Sequence, residues 1–305
     1  MENIIIGVDA GGTKTKVCAF DKKGNILCEI YKGCGSPAVI DKNIALSNII
    51  EAIKEVYNIV KNKYNVLYLQ TGISGLGVLS ISENEIYKSL LEKLVNCEVG
   101  LDNDAVLAWN SYFKQENDEG IVILSGTGSC VYGVKNNKGI LMGGWGQLSN
   151  EVGSAYAVVR ELLLRTIKKC EEEGTISPLT EKFLKLFGFT DVYEIKVFMY
   201  NNSKKEIASY ANFIIEEASN NDQEAICILE KAGIDLADLI RLQYKRHNFI
   251  NAKIALRGSF IQNTKITQES LLKTLKIYGL DAEVSFDNGD PIMGAYNLAR
   301  KKGKI

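Results

Sequence analysis

The chain has 305 residues, 46% of them hydrophobic, and its 36 basic and 37 acidic side chains give a net charge of -1. This length and composition predict one or two globular domains with a sizeable core. The balanced charge argues against the basic surface that nucleic acids and anionic membranes require, so we expect neither as a partner. No apolar run is long enough to span a bilayer and the first residues form no basic leader, which predicts a cytoplasmic location.

The cysteines and the single histidine narrow the possible chemistry. The seven cysteines never reach a C-x-x-C spacing, so we expect buried free thiols rather than a structural zinc or cluster site. His247 follows a charged segment typical of a helix end, where a partly positive ring needs no catalytic role. General acid–base chemistry is therefore expected to depend on carboxylates.

The first half of the chain predicts a mixed sheet covered by helices. Three strands follow one another as hairpins, and the next helix begins behind the candidate cap Asp41. The elements after the hairpins are a helix over 41–64, a buried strand at 66–69, a glycine loop at 72–77, a helix over 83–95 and a strand at 98–101 that leads into another helix. Strands and helices in this order predict an α/β fold.

The second half begins in the same way and then departs from the pattern. Its third strand is followed by a long helical stretch over about 151–248. Strands at 252–256 and 283–286, each followed by a helix, close the chain, and the last helix begins near Pro291. We expect the boundary between the two halves near 115–120.

Two glycine–hydroxyl turns, each between a pair of apolar strands, are the most informative feature. They lie within residues 4–20 and 120–132, and both belong to the same strand–turn–strand–turn–strand arrangement. Glycine permits backbone angles that other residues resist, so successive N–H groups can converge on an anion. One such turn is weak evidence, but the repeat predicts two related lobes that bind one polyphosphate, and therefore a nucleotide.

Other interpretations of these turns fit less well. A Walker loop places lysine directly after its last glycine and before the hydroxyl residue, whereas here Lys14 follows Thr13. A dinucleotide fingerprint opens a helix, whereas Gly126 and Gly128 lead into a strand. A plain hairpin would suit either turn alone but explains neither the repeat nor Asp9 beside the first turn.

Six parts of the chain carry a resemblance to a known family. They are residues 9–14, 102–105, 124–129, 143–146 with 153–156 behind them, 256–259 and 290–295. In this order they resemble the sugar-kinase branch of the acetate kinase/sugar kinase/Hsp70/actin superfamily. The similarity is greatest to the N-acetylglucosamine kinase group, which shares a family with the BadF/BadG/BcrA/BcrD ATPases.

The resemblance implies two ribonuclease H-like, actin-like ATPase lobes with an interlobe cleft. The N-terminal lobe would comprise residues 1–117, completed by a C-terminal helix at 291–305. The C-terminal lobe would comprise residues 118–290, including the helical insertion at about 151–248. The protein would be an ATP- and Mg²⁺-dependent kinase of an amino sugar, most similar to those acting on N-acetylglucosamine, with N-acetylmuramic acid or glucosamine as alternatives. A homodimer is expected.

The resemblance also implies roles for individual residues. Asp9 would orient Mg²⁺ through water, and Asp104 would contact the sugar and accept the proton of its hydroxyl. Asp102 is the competing carboxylate. The remaining implied residues are Gly11, Gly12, Thr13, Lys14, Gly126, Thr127, Gly128 and Ser129 for the phosphates, Gly258 and Ser259 for the adenosine, and Ser36, Gly144, Trp145, Gly146 and Glu151 for the sugar.

The chain departs from the family pattern where the sugar would bind. Ser36 lies where the family commonly has asparagine, and Glu151 and Val152 replace an aspartate and a glutamate. Glutamate can still accept from two hydroxyls but with a different reach, whereas valine cannot form a hydrogen bond. These departures weaken the assignment to N-acetylglucosamine in particular.

Two other functions remain open at this stage. An ATPase activator of a radical dehydratase, from the other branch of the family, would hold an iron–sulfur cluster between subunits, but no cysteine pair here is framed by glycines. A catalytically silent sugar sensor could share the fold, since fold alone does not establish activity. The presence together of Asp9, Thr13, Asp104 and Thr127 argues against a silent protein.

Overall fold

Two five-stranded sheets organise the chain, one in each of two compact units. The computed structural model describes all residues, 1–305. The first unit comprises Met1–Asp118 and Asn288–Ile305, and the second comprises Glu119–Asp287. None of the helices is both long and apolar enough to cross a membrane.

The first unit alternates strands and helices after an initial three-stranded meander. Its elements are β1 (Glu2–Ala10), β2 (Thr15–Phe20), β3 (Ile26–Lys32), α1 (Lys42–Val60), β4 (Tyr64–Ile73), α2 (Ile81–Val95), β5 (Glu98–Asn103), α3 (Asp104–Tyr112) and, from the chain's end, α12 (Ile292–Lys301). A short 3₁₀ turn (Leu76–Val78) precedes α2. The apolar strand β1 lies in the middle of the sheet order β3-β2-β1-β4-β5 and is buried on both faces.

The second unit has the same strand plan and a large helical addition. Its elements are β6 (Gly120–Ser125), β7 (Ser129–Lys135), β8 (Lys138–Gly143), α4 (Ala155–Glu173), α5 (Pro178–Lys185), α6 (Ile195–Asn201), α7 (Lys204–Ser209), α8 (Ala211–Ser219), α9 (Gln223–His247), β9 (Asn251–Arg257), α10 (Ser259–Asn263), α11 (Lys265–Ile277) and β10 (Asp281–Phe286). A 3₁₀ turn (Val192–Glu194) precedes α6. Helices α4 to α9 form the predicted helical stretch and bury an apolar cluster of their own.

The two sheets repeat one topology. In the first, β1 pairs antiparallel with β2 and parallel with β4; in the second, β6 pairs antiparallel with β7 and parallel with β9. The outer strands follow the same rule, so the orders β3-β2-β1-β4-β5 and β8-β7-β6-β9-β10 correspond strand for strand. The prediction of an α/β fold with two related lobes is confirmed.

The local sequence signals correspond to the observed helix ends, with differences of a few residues. Asp41 caps α1 by accepting from the N–H groups of Asn43 and Ile44. The next helix begins earlier than predicted, because Ser80 and Glu83 form a capping box ahead of it. Ile44, in the first turn of α1, is exposed, so the buried face of that helix begins one residue later, at Ala45.

His247 and the cysteines differ in part from expectation. His247 does end α9, but it is buried, and that burial lowers the pKa of its ring below the ordinary value. The ring is therefore neutral near pH 7, and its Nε2 lies 3.1 Å from the Gly133 carbonyl oxygen. All seven cysteines are free, but only Cys18 is fully buried and Cys227 is exposed.

The closest helix contact in the first unit joins α12 to α3. A Cβ atom on Gly294 would lie 1.9 Å from the Leu107 carbonyl oxygen, so only glycine fits there. Two side chains extend the contact: Asn297 donates to the Asn110 carbonyl at 3.0 Å, and Lys301 donates to the Phe113 carbonyl at 2.7 Å. Residues near the chain's end thus fix the helix that begins with Asp104.

Replacing Gly294 with alanine is expected to lower the free energy of unfolding by about 1–3 kcal/mol, because the methyl group must push α12 away from α3. Alanine otherwise favours a helix, so a loss would report the contact itself. Thermal and urea unfolding measure the effect. Gly77→Ala is the matched control, since a Cβ there meets nothing within 4 Å. Equal stability of the two variants would show that α12 and α3 are not packed this closely.

Candidate active site

The first glycine turn joins β1 to β2 between the paired residues Ala10 and Thr15. The Gly11 N–H donates to the Lys14 carbonyl at 2.9 Å, which closes the turn, and the Gly35 N–H donates to the Gly11 carbonyl at 3.1 Å. The side chains of Thr13 and Lys14 are exposed. The turn therefore presents a hydroxyl and an ammonium group to solvent on a fixed backbone.

A cavity of about 340 Å³ lies beside this turn, entirely within the first unit. It is lined by Asp9, Lys14, Lys16, Tyr31, Asp290 and Pro291. Burial of the Lys16 ammonium group lowers its pKa, but ion pairs with Asp290 at 2.7 Å and Glu29 at 3.0 Å outweigh that effect and raise the pKa above its ordinary value. The cavity combines cationic and carboxylate groups, as a site for a metal–phosphate complex requires.

The side chains at this cavity fit a magnesium ion that is held mainly by water and phosphate. No group of three or more His, Cys, Asp or Glu side chains forms a potential metal site. Magnesium usually retains several waters and takes one or two carboxylates together with substrate phosphates. Asp9 at the cavity wall supplies one such carboxylate.

Asp104 is the first residue of α3, at the carboxyl end of β5. Its carboxyl group accepts a hydrogen bond from the Ser74 hydroxyl and one from the Ala105 N–H at 3.0 Å. Burial nevertheless raises the pKa of this carboxyl above its ordinary value, and the hydrogen bonds only partly oppose the rise. An aspartate of raised pKa, held by a serine rather than by a basic residue, is suited to accept a proton.

Asp102, the competing carboxylate, is occupied elsewhere. It accepts from the Gln70 amide at 2.9 Å and from the Lys302 ammonium at 3.2 Å. Lys302 follows α12, so this contact ties the chain's end to β5. The two carboxylates are two residues apart in sequence, yet one makes an ion pair and the other does not.

Ser36 is fully buried, and its hydroxyl oxygen has no hydrogen-bond partner. It lies against the loop that follows β4, where a Cβ on Gly75 would be 2.9 Å from that oxygen. Ser74, next to Gly75, donates to Asp104 through its hydroxyl and to the Ala10 carbonyl through its N–H, at 2.9 Å. The loop thus brings Ser36, Asp104 and the first glycine turn together.

The second glycine turn joins β6 to β7 between Ser125 and Ser129. The Gly126 N–H closes it by donating to the Gly128 carbonyl at 2.9 Å. The start of α4 holds it from behind, because the N–H groups of Ala155 and Tyr156 donate to the carbonyls of Gly126 and Thr127.

The predicted adenosine loop lies against this second turn. Gly258 has φ +114°, and a Cβ there would be 2.3 Å from the Ser125 carbonyl oxygen, so glycine is required on both counts. Ser259 begins α10, and its Oγ lies 3.7 Å from the position a Cβ would take on Gly126. The structure thus places residues 126–129 and 258–259 side by side within the second unit.

Glu151 also lies at the second turn, but its carboxylate is bonded to protein groups, whereas a sugar-binding carboxylate is expected to be available to sugar hydroxyls. Its side chain is 1% exposed and accepts from the Ser129 N–H at 2.6 Å. Its other oxygen forms an ion pair with Lys204. Val152, the other departure, contributes its carbonyl as acceptor for the Ser129 hydroxyl.

The glycines of the two turns do not use the unusual backbone angles that were anticipated for them. Gly11, Gly12, Gly126 and Gly128 all lack positive φ angles. Glycine is favoured at Gly128 because there is little room for a side chain: a Cβ would lie 2.6 Å from the Lys204 ammonium nitrogen. The unusual backbone angles occur instead in the segment after β8, where Gly144 and Gly146 have φ of 68° and 86°.

That segment carries the predicted sugar residues 144–146. Gly144 packs on Cys130, where a Cβ would come within 3.2 Å of the Cys130 side chain. Trp145 is 74% exposed. A large exposed aromatic ring on a glycine-framed loop is available to pack against a ligand.

Two candidate functional residues, Ser74 and Lys204, were not predicted from the sequence. Ser74 lies in the glycine loop 72–77, and its position at the carboxyl end of a parallel strand was the available signal. Lys204 offered no signal, because it is one of many lysines in the helical stretch and lies 53 residues from Glu151.

Comparison with solved structures shows a shared fold over nearly the whole chain. A putative N-acetylglucosamine kinase from Chromobacterium violaceum superposes with a TM-score of 0.70 at 19% identity, covering 97% of this chain and 98% of its own. A glucokinase of the ROK family from Streptomyces griseus, solved with glucose and AMPPNP, gives a TM-score of 0.58 at 19% identity, covering 98% and 99%.

Two relatives in sequence match along nearly their full length. An N-acetyl-D-glucosamine kinase from Dictyostelium discoideum is 27% identical over 99% of both chains. An N-acetylmuramic acid/N-acetylglucosamine kinase from Clostridium acetobutylicum is 26% identical over 98% of both. The BadF/BadG/BcrA/BcrD ATPase family matches residues 6–296. The chain therefore belongs to the BadF/BadG/BcrA/BcrD ATPase family.

Proposed function

We propose that this protein is an ATP-dependent sugar kinase that transfers the γ-phosphoryl group of ATP to a hydroxyl of an amino sugar. The observation that carries the proposal is Asp104, whose carboxyl has a raised pKa and is held by Ser74 in the unit that also contains the first glycine turn. The full-length similarity to two N-acetylglucosamine kinases supports the sugar class. N-acetylglucosamine is the first candidate substrate, followed by N-acetylmuramic acid and glucosamine.

The nucleotide side of the proposal uses both glycine turns. Residues 11–14 and 126–129 bind the phosphates, and Gly258 and Ser259 contact the adenosine. Asp9 holds magnesium through water, and the ion neutralises phosphate charge when it is bound. The exposed Thr13 and Lys14, and the cavity beside Asp9, support this assignment.

The sugar side uses Ser36, Asp104, Gly144, Trp145, Gly146 and Glu151. Ser36 supports it best, because a buried hydroxyl without a partner is uncommon and requires an explanation, which a bound sugar hydroxyl would supply. For Glu151, the ion pair with Lys204 leaves less capacity for sugar hydroxyls than the family's aspartate would offer. We also propose a homodimer, on the family resemblance, and a cytoplasmic location.

In the proposed reaction, the sugar hydroxyl oxygen bonds to the γ-phosphorus in line with the β–γ bridging oxygen. The bond from that phosphorus to the bridging oxygen breaks, and ADP leaves with the electron pair. The hydroxyl proton passes to Asp104. The pKa of the Asp104 carboxyl is raised towards neutral pH, so the carboxylate is a stronger base than an ordinary aspartate, which favours this transfer.

The purified protein is expected to form ADP from ATP and Mg²⁺ faster when an amino sugar is added. A coupled ADP assay over N-acetylglucosamine, N-acetylmuramic acid, glucosamine and glucose measures this, with hydrolysis in the absence of sugar as the baseline. Mass spectrometry of the product then identifies the phosphorylated sugar. If no sugar in the panel raises ADP formation above the baseline, the proposed function is wrong.

Replacing Asp104 with asparagine is expected to lower kcat at least about 100-fold, because the amide keeps the shape but cannot accept the proton. Asp102→Asn is the matched control: its carboxylate bonds Gln70 and Lys302, so its loss should affect stability more than turnover. Steady-state kinetics and thermal unfolding of both variants make the comparison. A large loss of kcat in Asp102→Asn with Asp104→Asn active would assign the base to Asp102.

Replacing Ser36 with alanine is expected to raise the KM for the sugar about threefold to tenfold without lowering stability. The hydroxyl has no partner within the protein, so its removal costs no internal hydrogen bond. Ser111→Ala is the contrast, because that buried hydroxyl donates to the Ala108 carbonyl at 2.7 Å and its loss should destabilise. Destabilisation of Ser36→Ala with an unchanged KM would give Ser36 a structural role only.

A further inference from the structure

We propose that Lys204, from the helical stretch of the second unit, is a phosphate-binding residue for the nucleotide at turn 126–129. The inference rests on the proposed function, because it requires that this turn bind ATP. It adds a cation that the family motifs in this sequence do not include.

The ammonium group of Lys204 lies directly against the turn. A Cβ on Gly128 would come within 2.6 Å of its nitrogen, so the missing side chain at Gly128 leaves the space that the ammonium fills. The lysine side chain is 27% exposed, which leaves part of it accessible to a ligand. An ammonium group has three donors, so one can bond Glu151 while the others bond phosphate oxygens.

The turn binds an anionic oxygen in this structure. The Ser129 N–H donates to one carboxylate oxygen of Glu151 at 2.6 Å, and the other oxygen pairs with Lys204. A backbone N–H and an ammonium group therefore converge on one anion at the turn. This is the donor combination that recognises phosphate.

The backbone around Lys204 is held in place. Ser203 and Glu206 form a capping box that starts α7 at Lys204, and α7 packs on α4. The ammonium also lies 5.9 Å from the ring centre of Tyr156, at the start of α4. Because α4 also bonds the carbonyls of Gly126 and Thr127, one helix supports both the turn and the lysine.

A purely structural role is the alternative to be tested. Lys204 could serve only to neutralise the buried carboxylate of Glu151, because an unpaired buried charge is costly. In that case, removing the carboxylate would make the lysine dispensable. A phosphate ligand would remain necessary without Glu151. The comparison is therefore best made in a Glu151→Gln background, where loss of the lysine leaves no buried charge behind.

The experiment measures binding of AMPPNP with Mg²⁺, and of adenosine, by calorimetry. The proteins are the wild type, Lys204→Met, Lys204→Arg, Glu151→Gln and the double variant Glu151→Gln/Lys204→Met. Lys205→Met is the matched control, because Lys205 is the next residue on α7 and is exposed. Circular dichroism and thermal unfolding establish that each protein is folded.

We expect Lys204→Met, and the double variant relative to Glu151→Gln, to bind AMPPNP at least about tenfold more weakly, with adenosine binding unchanged. Lys205→Met should bind AMPPNP as the wild type does, within about threefold. Lys204→Arg should bind it more tightly than Lys204→Met, because arginine keeps the positive charge, although its planar group does not reproduce the compact ammonium. Glu151→Gln should bind it as tightly or more tightly, because a competing carboxylate is gone.

Three results would overturn the inference while leaving the kinase intact. These are unchanged AMPPNP affinity in the folded double variant, an equal loss of adenosine affinity, and an equal loss in Glu151→Gln and Lys204→Met. A wild-type protein that does not bind AMPPNP at all would overturn the proposed function and this inference together.

Discussion

The contact between α12 and α3 determines where the proposed catalytic carboxylate lies. Gly294 allows two helix backbones to approach within a distance that any side chain would prevent. Hydrogen bonds from Asn297 and Lys301 to carbonyls of the α3 segment fix the register of the pair. Because Asp104 opens α3, its position relative to the first glycine turn depends on residues that lie almost 200 positions further along the chain.

Long-range contacts also separate the two aspartates that the sequence presents as equals. Lys302 reaches Asp102 from beyond α12 and, with Gln70, makes it a structural anchor of β5. Asp104 accepts hydrogen bonds from a serine hydroxyl and a backbone N–H, which lower its pKa, but burial outweighs both and raises it. The distinction between anchor and base thus comes from the fold, since the two residues have the same chemistry and nearly the same place in the sequence.

Much of the fold could be predicted because its signals are local. The repeated strand–turn–strand pattern, the Asp41 cap and the apolar strands are read from neighbouring residues, and they correspond to the observed elements. The residues of the candidate site were harder to predict from the sequence. Lys204 reaches turn 126–129 from a separate helix. The Ser36 hydroxyl, which has no hydrogen-bond partner, is buried against Gly75. Neither arrangement has a sequence period or a motif.

The first unit is discontinuous, since residues 288–305 complete it only after the whole second unit. During synthesis, the second unit therefore emerges from the ribosome in full before α12 becomes available to the first. Domains generally fold as units as they are made, so the second unit can acquire its structure while the first still lacks its closing helix. The apolar side chains of β1 and β2 that α12 covers, Ile5 and Phe20 among them, stay uncovered until α12 itself has been released.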